Sequence, residues 1–239
     1  MQQDLYKCGV PASCISCDAR RRGMCGALEP RQLAELSKYS VRKNARSGKE
    51  LYSEAEKTGG FSNILSGVVK LSRTLSDGRQ QIVGLQFAPD FLGRPFKAEN
   101  VITAEAVTDV ALCSLPQAAV ERMIAESPSL EHRLYQQTLR ELDEAREWMV
   151  TLGRRTAAEK VASFLVTIAR HLDPGSQEGK SAAFDLPLTR ADIADYLGLT
   201  IETVSRQLTK LRSDEIIQIV NNHHIIVPSL SRLAARTGN

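Results

Sequence analysis

Two groups of side chains in this 239-residue sequence have the types and spacings that chemistry requires. The first is a set of cysteines: Cys14 and Cys17 are separated by two residues, Cys17 and Cys25 by seven, and Cys113 lies far downstream. Four thiolates around one centre suit an iron–sulfur cluster or a structural zinc ion. A CxxC pair alone is a weak signal. A third cysteine nearby strengthens it, because free cysteines are usually buried singly rather than grouped near a terminus. Unligated thiols in a flexible tail remain an alternative. Gly23 and Gly26 permit tight folding there, and Arg20, Arg21 and Arg22 can offset thiolate charge, although a solvated basic run reads the same.

The second group is Glu202, Ser205 and Arg206, which share one exposed face near the start of a helix expected over 201–211. Arginine's paired donors match guanine O6 and N7, and glutamate accepts from cytosine N4. Lys210 and Arg212, nearer the helix end, suit phosphate contacts. An i,i+4 ion pair between Glu202 and Arg206 is the plainer explanation of the same residues. His223 and His224 fall at a turn and read as phosphate or solvent contacts. No Ser/His/Asp or Cys/His arrangement supports catalysis, so an enzyme is not expected.

The surrounding elements give these residues their positions. Thr189 followed by Asp192 forms a capping-box signature, Gly198 supplies a turn, and Thr200 caps the next helix, with Ile193, Leu197, Val204 and Leu208 facing inward. Helix, glycine turn, helix is a helix-turn-helix pattern. The apolar runs 216–220 and 225–227 flank Asn221-Asn222 as a hairpin wing. Upstream, residues 51–115 show period-two alternation broken by turn residues, such as Asp77-Gly78, which implies a sandwich, roll or barrel. Cys113 falls in the last of those strands. Between the two regions, Leu130, Leu134, Thr138, Leu142, Ala145, Met149 and Leu152 recur at helical spacing. That stripe packs on its own domain or forms a dimer seam, with Glu141, Asp143, Glu144 and Glu147 as an acidic rim that weakens association.

The stretch from Leu188 to Arg206 resembles the DNA-binding motif of the CRP/FNR superfamily of bacterial transcription regulators. The Glu202, Ser205, Arg206 trio is similar to the base-reading set of its FNR branch. The resemblance implies an α+β chain: a cysteine-rich segment at 1–27, a β-roll of the cyclic-nucleotide-binding, jelly-roll type at 28–127, a dimerisation helix at 128–154, and a winged helix-turn-helix at 155–239. It also implies a homodimer on palindromic double-stranded DNA with TTGAT-like half-sites, acting on RNA polymerase as activator or repressor. Thr200 and Arg190 join the DNA-facing residues on this view, and Leu130, Leu134, Leu142, Ala145, Met149 and Leu152 form the seam.

By the same resemblance, Cys14, Cys17, Cys25 and Cys113 would ligate an oxygen-sensitive [4Fe–4S] cluster, leaving Cys8 spare. The seven-residue gap is similar to that of the α-proteobacterial FnrL/FnrN-like members. Cyclic-nucleotide binders of the superfamily carry a Gly-Glu pair and a later arginine. Here 91–95 lacks the glutamate and 101–105 lacks the arginine, so no cyclic nucleotide is expected. A zinc-stabilised or cluster-free constitutive DNA binder is the rival.

Composition narrows the class without naming a function. Hydrophobic residues make up 42% and charged ones 25%, the profile of a globular chain rather than a disordered one. No apolar run is long enough for a membrane span. The N-terminal residues lack a basic stretch followed by an apolar core, so the expectation is a cytoplasmic protein with reduced thiols. A net charge of +3 is too small to identify a nucleic-acid binder.

Overall fold

A computed structural model describes residues 7–57, 59–94, 96–97, 99–173 and 180–238. The chain divides into two compact units, one running to residue 143 and the other covering 144–239, with 80–82 counted with the second. The division falls inside the longest helix and not at either of its ends.

The first unit begins with short helical pieces: α1 (Ala12–Ile15), α2 (Asp18–Arg22) and a 3-10 turn (Met24–Ala27). The cysteine segment is therefore folded, not a tail. Its Val10, Ile15, Ala19 and Met24 are buried. Helix α3 (Pro30–Ser37), which the sequence reading did not single out, starts with proline at its first position and Glu29 N–H bonded to Gln32 Oε1 at 3.1 Å.

Eight strands follow: β1 (Val41–Ala45), β2 (Glu50–Tyr52), β3 (Phe61–Ser66), β4 (Val68–Thr74), β5 (Gln80–Phe87), β6 (Phe91–Leu92), β7 (Thr103–Ala106) and β8 (Val110–Leu115). They form two four-stranded sheets, β1-β8-β3-β6 and β2-β7-β4-β5. The expected hairpin joins β4 and β5, with Gly78 at φ 86° in its turn. In β5, Ile82 is buried and Val83 is exposed. Both residues are apolar, so alternation could not choose between them.

The two faces of the first sheet do different work. Ile64, Leu92, Val110 and Leu112 join Val69, Ala104 and Ala106 in a core between the sheets. Phe61, Phe91 and Leu115 face the other way, into a core with Ile15, Met24, Leu28, Leu33 and Leu36. That second core also takes in α4 (Gln117–Glu126) and the foot of α5 (Pro128–Arg154) through Val120, Met123, Leu130 and Leu134. Ser127 caps α5: the Leu130 N–H reaches Ser127 Oγ at 3.4 Å. Ser129 Oγ donates to the Ala27 carbonyl at 2.8 Å, tying the helix to the cysteine segment.

The second unit holds α6 (Ala157–Leu172), α7 (Arg190–Leu197), α8 (Ile201–Ser213) and α9 (Leu230–Ala234). It also has a three-stranded sheet of β9 (Ala182–Asp185), β10 (Gln218–Val220) and β11 (His224–Val227), ordered β10-β11-β9. Strand β9 was not anticipated. Thr156 with Glu159 and Thr189 with Asp192 cap α6 and α7. Gly198 closes α7 in the left-handed conformation, at φ 60°. Lys160, itself buried, donates to the Leu197 carbonyl at 3.2 Å and satisfies that helix end. Trp148 stacks on Tyr196 with ring centres 4.0 Å apart, and Phe164 meets the same tyrosine edge-on. Among the described residues no helix is long and apolar enough to cross a membrane.

Candidate cysteine centre and nucleic-acid interface

Strand pairing builds one wall of the cysteine site. Cys113 on β8 lies directly opposite Arg42 on β1 and Asn63 on β3. Residues opposite one another in a sheet project from the same face, so Arg42, Cys113 and Asn63 form a row. The helical pieces of residues 12–27 pack against that face and bring Cys14, Cys17 and Cys25 to it. All four sulfurs line one cavity of about 120 Å³, together with Arg20, Ser40, Arg42, Asn63 and Leu65. Cys8 opens onto a different hollow, beside Arg31 and Glu35.

Among the described residues, no three His, Cys, Asp or Glu side chains converge closely enough to hold a single metal ion. A tetrahedral zinc site needs every sulfur about 2.3 Å from one centre. A cubane cluster puts each thiolate on a different iron, and a cavity this size takes several atoms rather than one. Four cysteines lining one cavity are a donor set that fits an iron–sulfur group.

Close approach explains the glycines. A Cβ at Gly26 would sit 2.8 Å from the carbonyl oxygens of Arg20 and Arg21, and one at Gly23 would sit 2.8 Å from that of Ala19. Electrostatics couples the sulfurs to each other. Burial pushes the Cys25 thiol up to about 12, with Cys113, Cys14 and Cys17 adding to the rise and an Asn63 hydrogen bond opposing it. Cys113 is raised by burial and then by Cys14 and Cys17. Cys14 is raised by burial and by Cys17. Four thiolates in one enclosed space repel, so deprotonating all of them requires a compensating positive centre. Arg42, whose Nη2 donates to the Ser13 carbonyl at 2.9 Å, and Arg20 supply part of that compensation.

The helix-turn-helix leaves the residues of the expected DNA-facing side exposed. Val204, Leu208 and Leu211 of α8 are buried, whereas Glu202, Ser205, Arg206, Lys210 and Arg212 are exposed. The expected ion pair between Glu202 and Arg206 is replaced by an Arg206 Nη2 bond to Thr203 Oγ1 at 3.2 Å. Glu202 is held below the usual carboxylate range by its own backbone N–H and by Thr200. Thr200 caps α8 through the Thr203 N–H. Arg190, half-buried, donates to the Asn222 carbonyl at 3.2 Å and braces the wing turn. That turn spans residues 221–223, with Asn221 and Asn222 both at positive φ and the His223 N–H bonded to the Val220 carbonyl at 3.3 Å. His224 Nδ1 lies 2.7 Å from Asp185 on the neighbouring strand.

The dimer seam needs correction. Leu130 and Leu134 are buried in the chain's own core and cannot meet a partner. Leu142 and Met149 of the expected stripe are exposed, and Tyr135, Leu139 and Val150 extend that apolar face of α5. Ala145 is exposed beside it and Leu152 is half-buried. Nor is the acidic rim bare, since Glu147 pairs with Arg155 and Glu141 accepts from Gln137.

Comparison with known proteins agrees with this architecture. Residues 159–236 match the model of the Crp-like helix-turn-helix domain, and residues 42–127 match that of the cyclic nucleotide-binding domain. A probable transcriptional activator of Rhizobium leguminosarum bv. viciae is 53% identical over 97% of this chain and 96% of its own length. The chain belongs to the CRP/FNR family of transcription regulators. Another relative in this family, the transcriptional activator protein FnrL of Cereibacter sphaeroides, is 38% identical over 98% of this chain and 93% of its own. The solved structure of FixK2 from Bradyrhizobium japonicum aligns with a TM-score of 0.75 at 31% identity, covering 82% of this chain and 96% of that one. CRP/FNR relatives at this level are transcriptional regulators and not enzymes, and this chain is a transcriptional activator of the FNR/FixK type.

Proposed function

We propose that this CRP/FNR regulator responds to oxygen through a [4Fe–4S] cluster held by Cys14, Cys17, Cys25 and Cys113. The observation that carries the reading is the single cavity into which α1, α2, the 3-10 turn and β8 bring four cysteines. A bound cluster would supply an oxygen-labile link among those four thiolates. The chain's own residues carry the state of that link outward. Ile15 and Met24 share a core with Leu130 and Leu134, and Ser129 is bonded to Ala27. An ordered cysteine segment therefore stiffens the foot of α5. That bias favours pairing of Tyr135, Leu139 and Leu142 with a second copy, because small coupling energies move a balanced equilibrium strongly.

The resulting homodimer places two α8 helices on a palindromic site with TTGAT-like half-sites in double-stranded DNA. Its position relative to RNA polymerase decides activation or repression. No cyclic nucleotide is required, since 91–94 offers Phe-Leu-Gly-Arg and no ribose-binding glutamate. The cytoplasm, where thiols stay reduced, is the compartment this chemistry needs.

Anaerobic purification tests the reading. The protein should be brown, carry about four irons and four sulfides per chain, and bleach in air. Serine at Cys14, Cys17, Cys25 or Cys113 should abolish the colour, while serine at Cys8 should leave it. A colourless protein with stoichiometric zinc would refute the proposal.

A further inference from the structure

Asn63 is at odds with its surroundings. It lies on the β3 face that also carries Phe61 and Leu65, against an apolar core, and only 6% of it is exposed. Asparagine is a poor strand former, and its Oδ1 is buried with no hydrogen-bond partner among the described residues. Burying an unsatisfied acceptor is unfavourable, and a leucine here would remove that penalty. The other end of the amide has a partner: Nδ2 lies 3.7 Å from Cys25 Sγ, while Cys113 stands directly across the sheet. Only the donor end can face an anionic sulfur, because the carbonyl oxygen would repel it.

We infer that Asn63 is a positioning residue of the cysteine centre, its N–H aiming the Cys25 sulfur into the cavity and stabilising that sulfur as a ligand. The inference rests on the proposed four-cysteine cluster. Hydrogen bonds to cluster sulfurs tune potential and ligand retention, so removing this donor should weaken one specific corner of the site. The other three ligands keep their own contacts.

The test uses anaerobically purified full-length protein, with Asn63→Leu and Asn63→Asp as variants. Asn63→Leu fills the space and has no donor; Asn63→Asp keeps the shape and brings a carboxylate to the sulfur. Both should fold, as read by far-ultraviolet circular dichroism and thermal melting, and Asn63→Leu should melt no lower than wild type. Challenged with an iron chelator, Asn63→Leu should lose its visible absorbance roughly tenfold faster than wild type, and Asn63→Asp faster still. The sulfur-to-iron charge-transfer band should shift in both. A brown wild type whose variants keep wild-type bleaching rates and band positions overturns the role of Asn63 alone. If Asn63→Leu does not fold, Asn63→Asp with wild-type retention overturns it equally. A colourless, iron-free wild type removes the cluster and this role together.

Discussion

Cys25 lies deepest of the four cysteines, and its surroundings make a prediction for the metal-free protein. Its pKa is raised from 9.0 to about 12 by burial and by three neighbouring sulfurs, so the fold favours the neutral thiol. Below pH 9 the thiol is neutral in folded and unfolded chains alike, and the stabilisation is fully present. Between pH 9 and about 12 the unfolded chain loses the proton first, so that stabilisation is lost as pH rises. The thermal midpoint of metal-free protein should therefore fall across that window, and Cys25→Ser should flatten the decline. At the other end of the chain, Arg206 is exposed and donates to Thr203 Oγ1. Arg206→Ala should lose about 1–3 kcal/mol on cognate DNA. Titration against a half-site changed at one guanine checks this. Equal loss on every sequence would make Arg206 a phosphate contact.

At the scale of elements, two pairs of substitutions separate structural roles that share a residue type. Gly26→Ala forces a Cβ against two backbone carbonyls at 2.8 Å, so the 3-10 turn must shift and Cys25 with it. Iron content after anaerobic purification should drop. Gly153, on α5, has nothing within 4 Å of the same position. Gly153→Ala should keep the iron and stabilise the chain by about 0.5–1 kcal/mol, the usual helical difference between the two residues. The second pair concerns α5 itself. Leu130→Ala removes a fully buried side chain and should destabilise the fold by about 2–5 kcal/mol. Leu142, 43% exposed, contributes little to the isolated chain. Leu142→Glu should leave the melting of the monomer nearly unchanged and weaken dimerisation, as sedimentation would show.

For the whole molecule, the proposed sensing and DNA reading would be joined through mass action between chains. In the proposed complex each α8 would offer a short reading face of Glu202, Ser205 and Arg206, and the chain's net charge is only +3. Affinity for a specific site therefore depends on doubling that face by dimerisation, which multiplies contacts without new chemistry. Removing iron from anaerobic protein should lower specific DNA affinity in step with dimer dissociation. A tandem-linked dimer should retain more affinity after the same treatment. Unchanged affinity of the metal-free single chain would uncouple the cysteine centre from DNA binding.

Much of this design is visible in the residues before any fold is known. The capping pair at Thr189, the cap at Thr200, the turn at Gly198, the Asn221-Asn222 hairpin and the spacing of Glu202, Ser205 and Arg206 are local. Local hydrogen bonding and backbone sterics set them within a few residues. The grouping of Cys14, Cys17 and Cys25 is local in the same sense. Pairings distant in sequence carry no such signature. Register alone puts Asn63 and Arg42 beside Cys113. Packing alone turns Leu130 and Leu134 inward and leaves Tyr135 and Leu139 outside on the same helix. Helical periodicity specifies which residues share a stripe, but which stripe is buried depends on the neighbour it meets, and β3, β8 and the cysteine segment decide that only once they have come together.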